Sequence, residues 1–302
     1  MTQTPPQSPQ PAGVIHDLAY RRYEGARLGP STRFAVIARY AIRAQWRLRA
    51  VKIFLIGALL TSAMGAVGLG FRLGFSRLAQ TAGEGLQQFD RGADAVPVTY
   101  ALAAQYLPSL LLVLVCGAPA VAADLNAGAF QFHFARPVAA GQYLIGRLLG
   151  AIAWPALFGY ATVGAYCVER LAFAEGFATS VKLAVIGALA VTARLATLGA
   201  VALGCSSLTR RKGLAQALFL GVVLGSGTVS AIVGHQLHRP WVATLSVMDS
   251  PAAVADQLLG AEDAIRATGL ASMAPTLAML AWIVAPLAIA WMRVRSAEVV
   301  RG

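Results

Sequence analysis

The chain has 302 residues, 57% of them hydrophobic and only 13% charged, with a net charge of +12 and a mean hydropathy of +0.63. A soluble domain carries about 25% charged and roughly 45–50% apolar residues, so the composition argues against a soluble globular protein and for one solvated by lipid. The basic excess does not indicate a nucleic-acid partner, because nine of the 25 Lys and Arg precede residue 53 and most others border apolar tracts, leaving no folded basic domain.

In chain order, Met1–Gly13 is rich in Pro, Gln, Ser and Thr and lacks an apolar core. It reads as a disordered tail rather than a secretory signal. The stretch from His16 to Arg27 mixes aromatic and charged residues. It suits docking to a protein partner or capping of the helix that follows, so 1–30 is taken as one disordered or docking segment. Residues 31–52 then predict an amphipathic helix. Phe34, Ile37, Ala41 and Leu48 fall on one side, and Arg39, Arg43 and Arg47 on the other. Such a helix belongs on an anionic lipid surface, against another protein, or both.

A membrane-crossing helix needs about 20 mostly apolar residues. Six tracts qualify, at 53–71, 103–123, 143–167, 181–204, 214–234 and 274–292. The predicted fold is therefore an all-α polytopic membrane protein, with 53–302 as the transmembrane domain. With the N-terminus inside, the cytoplasmic segments hold seventeen Lys and Arg and the outer ones seven, while Arg194 lies within a span. That excess places both termini in the cytoplasm. Small residues recur every four positions at Ala58, Ser62, Ala66 and Gly70, at Gly146 and Gly150, and at Gly221 and Gly225. Ridges of this kind let helices approach closely, although any Ala- and Gly-rich membrane protein has some. Pro108, Pro119, Pro155 and Pro286 are expected to kink their helices. Cys116, Cys167 and Cys205 sit in or beside apolar tracts and read as small packing residues.

The segment 124–142 joins the second and third spans. Asp124 and Gly128 open it, Phe130, Phe132 and Phe134 alternate with Gln131 and His133, and Arg136 and Pro137 follow, with Arg147 beyond. Such a short, partly apolar element on the cytoplasmic side needs a surface to bury against. At the other face, 235–273 predicts a structured outer loop, with a short amphipathic helix setting Val254, Leu258 and Leu259 against Asp256, Glu262 and Asp263.

Arg194, the one ionisable residue near the centre of a span, should face a polar cavity, a dimer interface or a partner. An anionic substrate and a structural hydrogen bond to helix carbonyls are both open readings. None of the 13 acids falls mid-span, which weakens an ion-coupled carrier. His235 and His238 are spaced to share a metal but lack a third ligand, so no metal is expected. The lysines Lys52, Lys182 and Lys212 follow Val51, Val181 and Arg211, so no P-loop is present. No set of catalytic residues stands out, and the chain is not read as an enzyme.

The Asp124, Gly128, Pro137 and Arg147 spacing resembles the loop of permease subunits of ABC transporters of the type-2, exporter class. The six-span plan, the amphipathic helix before the first span and the stretch Tyr20 to Gly25 are similar to that family too, the last to some bacterial members. The chain departs from the pattern with Ala129, Ala140 and Arg147, where members usually have Thr, Arg and Lys. The resemblance implies a bacterial inner-membrane permease that pairs with a second copy or a paralogue. It implies that 124–142 is a coupling element docked on a separate ATPase subunit, which binds the ATP. It also implies that the outer segment holds external or re-entrant helices closing a gate. A membrane scaffold is the alternative from another class.

Overall fold

The computed structural model of the chain describes residues 29, 32–82, 102–130, 138–173, 177–259 and 270–299, and among these it is helical with no strand. Helices α1 (Arg33–Trp46), α2 (Arg49–Ala82), α3 (Tyr106–Cys116), α4 (Ala120–Asn126), α5 (Ala140–Phe173), α6 (Phe177–Ser207) and α7 (Lys212–Gln236) follow in order. A 3-10 turn at Pro240–Leu245, then α8 (Asp249–Leu259) and α9 (Leu270–Val299), complete it. Among the described residues, five segments are long and apolar enough to cross a membrane: Leu102–Asn126, Ala140–Val168, Ser180–Ser207, Lys212–Gln236 and Met273–Ser296. They coincide with the second to sixth predicted spans, and the first lies within the continuous helix α2. Large apolar side chains stay exposed along these helices, among them Ile56, Leu60, Met64, Leu224, Ile232, Leu277 and Val284. Faces of that kind belong in lipid, as a multi-pass membrane protein requires.

Helix α6 forms the hub, packed against α5, α7, α8 and α9 and touching α3 and α4. Small residues make this possible. A Cβ at Gly204 would stand 2.6 Å from Pro286 Cβ of α9, and one at Gly199 would stand 2.7 Å from Ile152 of α5. Pro108 falls in the first turn of α3, and Pro119 caps α4 at its N-terminus. A missing N–H costs little at a helix start, so both prolines are tolerated there, and the turn at 117–119 interrupts the Leu102–Asn126 span at Pro119. Pro155 and Pro286 do lie inside α5 and α9.

The predicted 31–52 helix is divided at Arg47–Leu48. Its first part, α1, turns its apolar side onto α5, burying Ala38 and Ala41 while Arg39, Arg43 and Arg47 stay exposed. The Gly146 and Gly150 ridge receives it: Cβ atoms there would lie 2.8 Å from Ile37 Cβ and 2.6 Å from Ala41 Cβ. Trp46 stacks on Trp154 at 4.7 Å, and the buried Gln45 amide donates to the Cys116 carbonyl that ends α3, at 3.3 Å. One helix-end carbonyl is thereby satisfied. Leu48, assigned to the apolar side, is exposed.

Candidate functional site

Helix α4 is fixed at both ends. At its start, the Val121 and Ala122 amides donate to Ser206 Oγ of α6, at 3.0 and 2.9 Å. These would otherwise be unpaired donors at a buried helix N-terminus. At its end, Gly128 takes φ +63°, and the Ala129 amide donates to the Asp124 carbonyl at 2.9 Å. That bond, five residues back across a left-handed glycine, is a Schellman closure, and it explains why Gly stands at 128.

This closure leaves Asp124 on the last turn of α4, facing the first turns of α5. Tyr143 and Arg147, four residues apart, share one face of α5. Both reach the same carboxylate oxygen: Arg147 forms an ion pair with Asp124 Oδ2, and the Tyr143 hydroxyl donates to it at 2.5 Å. Asp124 is 8% exposed, so the charge is held by partners rather than by water. Phe130 tilts onto the Tyr143 ring at 5.2 Å, in a cluster with Val121, Leu203 and Val294. The two ends of the predicted coupling pattern are therefore in direct contact. Asp124 and Arg147 lie in helices, and the connection between α4 and α5 is confined to 127–139.

Phe130 was expected on an exposed alternating face, yet it is 8% exposed and packed on Tyr143. Phe132, Phe134, Arg136 and Pro137 lie outside the described residues. Tyr143 and Ser206 were missed by sequence reasoning. The i, i+4 pairing of Tyr143 with Arg147 was the available signal for the first, and Ser206 left none.

A second polar centre lies farther along α6, about 18 Å from Ser206 along the helix axis. Arg194 is 3% exposed, and its guanidinium carbon sits 4.1 Å from the Tyr106 ring centre. It faces the protein interior rather than lipid. The Tyr106 hydroxyl donates to the Met248 carbonyl at 3.1 Å, and Trp282 Nε1 donates to the Leu245 carbonyl at 2.8 Å. Ser226 Oγ accepts from the Val247 amide, and Ser230 Oγ donates to the Ala243 carbonyl. These bonds fold 240–248 back onto α7, α3 and α9 as a cap.

Ser246 accepts from the Asp249 amide at 2.9 Å and opens α8. Helix α8 buries Ser250, Pro251, Ala253 and Ala255, whereas Leu258 of the predicted apolar face is exposed. Glu262 and Asp263 lie outside the described residues. His235 and His238 are exposed, and no group of three or more His, Cys, Asp or Glu able to hold a metal occurs among the described residues. No family model and no curated protein matches the chain.

Proposed function

We propose that the chain is the membrane-spanning permease subunit of an ATP-driven ABC-type exporter, working with a separate ATPase subunit. The observation that carries this reading is the Asp124–Arg147 ion pair. It joins the acidic and basic ends of the pattern that resembles the ABC coupling loop, and so makes the α4 end, the connection and α5 one mechanical unit. A push on residues 127–139 passes through this pair into α5 and through Ser206 into α6, the hub of the bundle.

The reading takes α2 as the sixth span. At 34 residues it is well beyond the roughly 20 needed. The charge bias supports a cytoplasmic side for both termini, α1 and the 127–139 connection, and the resemblance implies a bacterial inner membrane. The segment at 240–259 then caps the outer end. Two copies, or one copy and a paralogue, form the transporter, with α1 lying at the lipid surface through its basic face.

The test is affinity purification of the tagged chain from native membranes in a detergent that preserves complexes. A stoichiometric P-loop ATPase in the eluate is the expected result. A clean preparation without one would move the reading to a scaffold or an ion-coupled carrier.

A further inference from the structure

Arg194 carries a buried charge that makes no ion pair among the described residues. A guanidinium stays protonated even when buried and must be met by an acceptor or a countercharge. Here Nε and Nη1 are buried without a hydrogen-bond partner. Among the described residues, Arg194 itself makes no ion pair. The Tyr106 ring offers its π face to the cation, which offsets part of the burial cost but leaves Nε and Nη1 without an acceptor.

Gln105 supplies a second, independent observation. It sits at the bend just before α3, is 1% exposed, and neither its Nε2 nor its Oε1 has a partner. Its side chain converges with Val191 on Gly159. Val191 stands one helical turn before Arg194, on the same face of α6. Gln105 is also the chain neighbour of Tyr106, over which Arg194 lies. Buried polar groups are almost always satisfied, and the unmet donors here belong to a cation and an amide on adjoining walls of α3 and α6.

A ligand held between Arg194 and Gln105 must be small, because both side chains are almost wholly buried. It must carry a single charge as well. The preceding basic residue on α6, Lys182, is exposed and about 18 Å away along the helix axis. A dianion would therefore leave a net buried negative charge. We propose that Arg194 and Gln105 hold one small monovalent inorganic anion, of the halide class, beneath the 240–259 cap. This site does not depend on the transport reading.

The test uses the full-length chain, purified in an uncharged detergent and in sodium isethionate free of halide. Bromide or chloride is titrated in at constant ionic strength, and thermal unfolding is followed by tryptophan fluorescence. A ligand that binds only the folded state raises Tm with its concentration. The wild-type chain is expected to show a saturable rise with halide. Arg194→Leu should weaken halide binding at least tenfold. Gln105→Glu, which keeps the side-chain volume and supplies a carboxylate in place of the ion, should be as stable in isethionate as the wild type is in halide, and should no longer respond. A wild-type Tm that is the same in every salt overturns the proposal, as does a full halide response in Arg194→Leu. Should Arg194→Leu not fold, Gln105→Glu decides, and an undiminished halide response in that variant overturns the site.

Discussion

Asp124, on the last turn of α4, and Arg147, two turns into α5, form a buried ion pair across a connection of thirteen residues, 127–139. Each side chain retains 12% exposure, and the Tyr143 hydroxyl shares the carboxylate oxygen that Arg147 contacts. The pair therefore works as a clasp that holds the end of α4 to the first turns of α5.

Breaking the clasp from one side should cost more than removing it. Asp124→Asn leaves the Arg147 charge buried and unpaired, a loss of about 3 kcal/mol, the lower end for buried pairs because of the remaining exposure. Replacing both partners by apolar residues, as in Asp124→Leu with Arg147→Met, should recover much of that. Tyr143→Phe should cost only about 1 kcal/mol. A double-mutant cycle on unfolding in detergent reads these values. Additive single effects would mean the two residues are not coupled.

Gly128 offers a narrower test of the same clasp. Its φ of +63° is strained for any residue with a Cβ, so Gly128→Ala should cost about 1–2 kcal/mol. Gly128→Asn should cost less, because Asn tolerates the left-handed region. Equal losses for the two variants would place the cost in packing rather than in the backbone.

Helix positions were legible in the sequence, because long apolar runs leave little choice in lipid. The sides on which those helices meet were much less so. Phe130 looked like part of an exposed apolar alternation until Tyr143 covered it. The outer helix reads as amphipathic through Val254, Leu258 and Leu259; Leu259 does pack against the core, but the buried side is made by Ser250, Pro251, Ala253 and Ala255, while Leu258 is exposed. Close approach to α6 favours small residues, and hydropathy does not measure that. At the candidate site, Asp124 and Arg147 were readable from spacing. Ser206 was not, since its partners Val121 and Ala122 are 85 and 84 residues away, whereas Tyr143 had a signal in its i, i+4 spacing to Arg147 that went unused. Gly146 and Gly150 announced a close contact without naming α1 as the partner.

Filling that contact should detach α1. A Cβ at Gly150 would lie 2.6 Å from Ala41 Cβ, so Gly150→Val forces the two helices apart. Overpacking of this kind costs about 1–3 kcal/mol, and here it should fall on α1 alone. A cysteine at Ala41, buried against α5, reports the change. Its maleimide labelling should rise at least tenfold with Gly150→Val, while the thermal unfolding of the rest of the bundle stays in place. Unchanged labelling would show that α1 follows α5 outward.

The ridge on α7 makes the opposite prediction. Gly213, Gly221 and Gly225 have nothing within 4 Å of the position a Cβ would take, and Ala217 between them is exposed. Within one chain, Gly221→Leu should therefore change stability by no more than about 0.5 kcal/mol. A flat ridge of small residues is, however, what a second membrane helix needs for close packing. If the proposed permease pairs through this face, Gly225→Cys in native membranes should form a disulfide-linked dimer on mild oxidation, and Gly221→Leu should abolish that link without affecting the fold. A Gly225→Cys chain that stays monomeric while the complex retains two copies would move the dimer contact to another helix, leaving α7 facing lipid.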